Sequence, residues 1–158
     1  MADGPAIQDL YPEDVSHCYG CGRLNEDGHQ IKTRSTVGGT ETEFTPEPFH
    51  IAVPGYTYGG IVASIIDCHS TGSAAIFALQ RDGGVVGSDP SPRFVTAHLE
   101  VDYLLPTPLG TMHLIGRLVE ITDRKAVVET ELSVGGVVTA KGSAVLVAIP
   151  EDRWQPVG

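Results

Sequence analysis

Basic residues are scarce in this chain: Lys and Arg number 10 against 20 Asp and Glu in 158 residues, a formal net charge of -10. A surface that replaces the counterions of a nucleic acid needs clustered cations, so nucleic acid is excluded as the partner. The same imbalance opposes an anionic membrane surface. Cysteine is both rare and odd in number, 3 in all, which excludes a fully paired disulfide framework. No uninterrupted apolar run reaches the roughly 18 residues needed to cross a bilayer. The opening MADGPAIQDLYPEDVSH has neither a basic n-region nor a long apolar h-region, so no signal peptide is expected. Low-complexity tracts, internal repeats and a domain linker are absent too. These absences predict a soluble, reduced, cytoplasmic protein, with no membrane partner, folded as one domain.

What is abundant is turn chemistry, with Gly 19 and Pro 11, and hence many short elements. Residues 1–17 read as an irregular N-terminal leader and 18–158 as the domain proper. HQIKTRST (29–36) and TETEFTPE (40–47) alternate around Val37-Gly38-Gly39 as a hairpin. PFHIAVPGYTYGG (48–60) is a loop. The stretch 59–80 is too long for a strand, carries Ile61, Ile65, Ile66, Ile76, Phe77 and Leu79 at helical intervals, and stops at Arg81-Asp82-Gly83-Gly84. Alanines on its other faces predict a helix enclosed on all sides. Four strands follow, over 93–105, 111–123, 124–134 and 137–149. In the first, Val95, Ala97, Leu99, Val101 and Tyr103 alternate with Thr96, His98, Glu100 and Asp102. Short turns make these strands antiparallel neighbours. The economical packing is α+β, one long central helix wrapped by a curved antiparallel sheet of about six strands.

Asp67 stands out inside that helix, as the only formally charged residue between Glu47 and Arg81. A buried carboxylate with no cation nearby in sequence costs several kcal/mol unless it is paired or its pKa shifts, which marks it as a functional candidate. The helix begins at Gly59-Gly60, where the first N–H groups lack helical partners and bare glycines let a ligand approach the backbone. Eight residues separate Gly59 from Asp67, an axial rise of about 12 Å. One carbonyl cannot touch both within a single chain, so a shared site requires a second copy. The bland alternative for the glycine pair is close helix packing.

Three segments resemble one family in family order: CYGCGRLNEDG (18–28), PGYTYGGIVASIID (54–67) and VTAHLEVDYLLPTPLG (95–110). They are similar to the motifs C-x-x-C-G-x-x-N-x-x-G, P-G-x-x-H-G-G-x-x-A-x-x-x-D and V-T-x-x-L-x-V-x-Y-L-x-P-x-x-x-G of the PaaI-like branch of hotdog-fold acyl-CoA thioesterases. The resemblance implies a hotdog fold, an acyl-CoA substrate, and a homodimer or homotetramer with interfacial active sites. It casts Asp67 as general base or nucleophile, the N–H of Gly59, with Gly60, as oxyanion donor, and Thr96 as a hydroxyl near the attacking water or the carboxylate. Tyr58 occupies the family's usual histidine position, and Ala52 stands where a polar residue is common. His50, two residues earlier, is the candidate to compensate. No cofactor is implied. Two other readings keep the fold: a non-catalytic acyl-CoA-binding or regulatory protein, and a hydratase acting on enoyl or hydroxyacyl thioesters, for which the histidine before the Gly pair is missing.

The remaining constellations are weaker. His69, counted with Tyr58, His50 and Ala52 among substrate-binding candidates, points about 200° around the helix from Asp67, which suits a core histidine. Cys18-x-x-Cys21 invites a zinc reading, but one pair falls short of the four ligands of a structural site. Cys68 is not expected to reach the pair, so no metal is expected. Arg81, Arg93, Arg124, Lys125 and Lys141 are the cations available for the anionic tail of coenzyme A.

Overall fold

The computed structural model describes residues 2, 4–153 and 157. The element order is β1 (Thr33–Thr36), β2 (Gly39–Phe44), α1 (Gly59–Arg81), β3 (Phe94–Tyr103), β4 (Met112–Ile121), β5 (Lys125–Val134) and β6 (Val137–Ala148). The strands form one antiparallel sheet in the order β1-β2-β4-β5-β6-β3. This is the hotdog arrangement, with α1 running along the concave face of the sheet.

Turn chemistry sets the strand pairing. Gly135 and Gly136 both take positive φ, 57° and 81°, the mirror-image turn that matches the twist of two paired strands. It joins Val134 to Val137. The first hairpin is shorter than its alternation suggests. Gln30 sits at φ 56° and its side chain donates 2.8 Å to the Gly22 carbonyl, so β1 begins only at Thr33. Helix α1 ends where Gly83 turns left-handed at φ 74° and the Gly84 N–H caps the Leu79 carbonyl.

The core lies between α1 and the sheet. Val62, Ile65 and Ile66 pack on Met112, Leu114, Leu132 and Ala140, while Ala74 and Phe77 pack on Ala126, Val128, Ala144 and Leu146. Each fully buried aliphatic chain contributes about 1.5–3 kcal/mol. The sheet lets the helix in through glycine: a Cβ on Gly142 would lie 2.4 Å from Ile66, and one on Gly116 would lie 2.7 Å from the His69 ring. By length and composition α1 would also suit a bilayer, but here it is mostly buried.

The leader is not left loose. It makes short 3-10 turns at Ile7–Leu10 and Glu13–Val15, and Ile7 packs against Ala75, Ile76 and Leu79 of α1. Gln8 is buried and grips β1, donating 2.9 Å to Thr33 Oγ1 and accepting the Thr33 N–H at 2.8 Å.

Two local features depart from the sequence expectation. Helix α1 is not enclosed on every side: Gly60, Ala63, Ser64, Asp67 and Thr71 form a stripe that is exposed or half-buried. These positions recur at three, four and seven residues, so they share one face. In β3 the simple alternation fails at a β-bulge between Thr96 and His98. Ala97 is the extra residue, and it turns Thr96 onto the same face as Leu99 and Val101, toward the helix.

Candidate active site

The bulge in β3 delivers Thr96 to Asp67. Its hydroxyl donates to Asp67 Oδ1 at 2.5 Å, a link across 29 residues that regular alternation would have pointed outward. Asp67 is half-buried rather than sealed in the core. It borders a cavity of about 400 Å³. The walls come from α1 (Cys68, Thr71), from β3 and the residue before it (Arg93, Thr96), and from the leader and the turn after it (Tyr11, Cys18). Half-burial resolves the cost of this acid, since one oxygen is hydrogen-bonded and the cavity is open to solvent.

Gly59 and Gly60 lie at the other end of the stripe. Tyr58 precedes the helix without a side-chain cap, and its own N–H is tied to the His50 carbonyl at 2.9 Å. Among the described residues neither the Gly59 nor the Gly60 N–H finds a protein acceptor, so both are available to a ligand. The Gly59 carbonyl, by contrast, accepts the Tyr103 hydroxyl at 2.7 Å. Tyr103 and Leu104 help wall a second cavity here, of about 330 Å³, which Gly59 borders and Asp67 does not. The glycine corner and Asp67 thus lie at separate places on one helix.

The other expected site residues are distributed as follows. Tyr58 is exposed and its ring covers Gly60, whose added Cβ would meet it at 2.4 Å. His50 accepts the Glu47 N–H at 3.0 Å and packs in an aromatic group with His29, Phe44 and Phe49. It supports the loop before the helix and does not border the Asp67 cavity. Ala52 is exposed on that loop, its N–H bonded to the Tyr56 carbonyl.

His69 is not at the site. It is fully buried on the opposite face of α1, with Nδ1 2.8 Å from Thr42 Oγ1. It belongs to a polar seam in which Ser73 pairs with Thr40 at 2.6 Å and Thr42 donates to Thr33 at 3.1 Å. Burial pushes the His69 imidazole down to about 3, so it is neutral at ordinary pH. The seam escapes a hydropathy reading because its members are spread over the leader, β1, β2 and α1.

The cysteines are a correction. Cys68 does reach the Cys18–Cys21 turn: the sulfurs of Cys18 and Cys68 stand 3.9 Å apart, and all three lie within 4.8 Å of one another. Hydrogen bonds from the Cys21 thiol, then the Cys68 thiol, hold Cys18 well below the usual thiol range. The same bonds, with burial, raise Cys21 and Cys68. The Asp67 charge also opposes ionisation of Cys21.

Of the five cations, Arg81 pairs with Asp82 and Asp123, Arg93 with Asp14, Lys125 with Glu120 and Lys141 with Glu131. Arg124 has no carboxylate partner among the described residues. It borders a larger cavity of about 760 Å³ near the C-terminal end of α1. That cavity shares Arg93 and Ile149 with the Asp67 cavity.

Comparison with known proteins bears on this arrangement. A family model described as "Thioesterase superfamily" matches residues 54–141, which include the Gly59-Gly60 corner, Asp67 and Thr96. The chain is 41% identical to a thioesterase superfamily protein from Shewanella loihica PV-4 of solved structure, with a TM-score of 0.65 over 89% of this chain and 100% of that one. A putative thioesterase of Ralstonia eutropha JMP134, described as phenylacetic acid degradation-related, shares the fold at 18% identity, with a TM-score of 0.57 over 75% of this chain and 85% of that one. Residues are also 39% identical over a stretch of 77 to the acyl-coenzyme A thioesterase THEM4 of Xenopus laevis, covering 49% of this chain but 29% of that protein. With more than half of its length matched by the family model, this chain belongs to the thioesterase superfamily.

Proposed function

We propose that the chain hydrolyses acyl-CoA thioesters to the carboxylic acid and free CoA, at a site built jointly by two copies of it. The observation that carries this reading is Asp67, a lone carboxylate on an apolar helix, set in a cavity wall and hydrogen-bonded by Thr96. As general base it takes a proton from water while the oxygen adds to the thioester carbonyl. The tetrahedral oxyanion then collapses, expelling CoA thiolate, which recovers the proton. As nucleophile, Asp67 forms an acyl anhydride and releases CoA, and water then hydrolyses the anhydride. A thioester is electrophilic and its thiolate leaves readily, so one carboxylate and one oxyanion donor suffice.

In this reading the oxyanion donor is the free N–H of Gly59, with Gly60 beside it, and the rise of about 12 Å along α1 supports a donor from a partner copy. Two features support a dimer. Strand β3 is a sheet edge ten residues long, and an unpaired edge of that length invites a second strand. Around the Gly59 half-site, Phe49, Tyr58, Tyr103, Leu104 and Leu105 are about half exposed or more. For the anionic tail of CoA, Arg93 and Arg124 are the suited cations, because Arg93 walls both the Asp67 cavity and the one Arg124 borders.

A second reading, an acyl-CoA-binding module without turnover, draws on the Tyr58 ring lying over Gly60. Thiol release from short-chain, long-chain and aromatic acyl-CoA thioesters, measured for the wild type and Asp67→Asn, separates the two. Turnover that falls about 10²–10⁴-fold in the variant supports hydrolysis by Asp67. Tight acyl-CoA binding with no turnover selects the binding module, and turnover untouched by Asp67→Asn refutes the mechanism.

A further inference from the structure

We propose that Cys18, Cys21 and Cys68 form a three-thiolate site for a zinc ion, with its fourth position opening on the Asp67 cavity. The sulfurs come from two elements, the turn before β1 and the middle of α1, 47 to 50 residues apart, yet all three lie within 4.8 Å of one another. In a tetrahedral site with Zn–S bonds of about 2.3 Å, neighbouring sulfurs stand about 3.8 Å apart. The Cys18–Cys68 separation of 3.9 Å meets that distance as it stands.

The backbone is shaped around the third sulfur. A Cβ on Gly20 would lie 2.1 Å from Cys68 Sγ, so only glycine lets the turn close over Cys68. Gly22 closes the turn, donating its N–H to the Cys18 carbonyl at 2.7 Å, and a Cβ there would strike the Cys18 nitrogen at 2.4 Å. Two tight glycine positions thus aim a Cys-x-x-Cys pair at a cysteine on the helix. Ordinary apolar packing of cysteine accounts for Cys21 and Cys68, which are buried, but not for Cys18, which is exposed and nonetheless turned toward them.

All three cysteines border the Asp67 cavity. Three protein ligands leave one tetrahedral position for an exchangeable ligand from that space, the arrangement of an open rather than a closed zinc site. Binding releases the thiol protons and leaves the ion with three sulfur ligands.

The test uses the untagged full chain, purified under a non-thiol reductant, and reads metal rather than turnover, so its failure is distinct from failure of the hydrolase reading. After zinc addition and gel filtration, one equivalent of zinc stays with the wild type. Cobalt gives a thiolate-to-metal charge-transfer band, and zinc raises the melting temperature. Cys18→Ser, at an exposed position that spares the core, loses the retained zinc, the band and the thermal shift while keeping the wild-type far-ultraviolet circular dichroism. Cys21→Ala gives the same loss if folded. A folded wild type that retains no zinc and shows no band overturns the proposal, as does metal retention unchanged in Cys18→Ser.

Discussion

Thr96 shows how a single hydroxyl ties the sheet to the lone carboxylate of the helix. Thr96→Val keeps the shape and removes the donor to Asp67. A hydrogen bond to a charged acceptor is worth about 1.5–3 kcal/mol, so kcat should fall about tenfold to a hundredfold with little change in KM. Thr96→Ser should recover most of the rate. A KM rise at constant kcat would instead place Thr96 in substrate binding. Gly20 is as constrained by space as Thr96 is by chemistry. Because its Cβ would lie 2.1 Å from Cys68 Sγ, Gly20→Ala should destabilise by about 1–3 kcal/mol, read as a lower urea midpoint at unchanged slope. Asp67 itself stood out in the sequence because charge is absent around it. Thr96 could be placed near it only through the family resemblance, since alternation turns it away.

At the scale of the element, the bulge in β3 sets where the Thr96 hydroxyl points. Deleting Ala97 restores regular alternation. Leu99 and Val101 are held in the core, and without the extra residue His98 follows Thr96 directly, so Phe94 and Thr96 keep facing the helix. The deletion variant should therefore fold with Thr96 still facing Asp67 and keep thiol release, and loss of release with a native fold would show that the bulge does more than set which residues face inward. Helix α1 carries its own test at Gly59. Proline suits the first helical position and lacks an N–H, and Tyr58 before it is already extended, at φ -60° and ψ 130°. Gly59→Pro should therefore keep the helix, judged by circular dichroism, and remove the oxyanion donor at a cost of about 10²–10³ in kcat. The length of α1 and the four long strands were legible as periodicity. The bulge was not, because one inserted residue changes facing without changing composition.

For the whole molecule, two measurements follow. If the Gly59 N–H serves the Asp67 of a second copy, Gly59→Pro and Asp67→Asn chains, each inactive, should complement. Random reassembly puts one intact site in half of the dimers, so mixing should restore about a quarter of the wild-type rate. No recovery after verified subunit exchange would place both groups in one chain. The second measurement concerns His69. Burial pushes its folded pKa down to about 3 from an ordinary value of 6.5, so below pH 6.5 the unfolded chain binds a proton that the folded chain refuses. Stability should fall as pH drops through that window, by up to about 1.4 kcal/mol per unit. Above it, His69 adds no slope. His69→Asn should flatten urea midpoints between pH 7 and pH 5, leaving the contributions of the carboxylates and of His29, whose imidazole pKa burial also lowers.

What the sequence determined by itself is whatever local physics writes into a run of residues. The central helix follows from its apolar periodicity, the antiparallel order from short glycine turns, and the prominence of Asp67 from the lack of neighbouring charge. The tertiary structure decided the juxtapositions. It brought Cys68 to Cys18 and Cys21, closed the leader against α1, took His69 out of the site and into a buried polar seam, and turned Thr96 inward. Each depends on contacts between segments far apart in the chain, or on one bulged residue, and neither leaves a periodic trace. The scarcity of basic residues holds at both levels: of the five candidate cations, only Arg124 is left without an acidic partner among the described residues, because acids outnumber bases two to one.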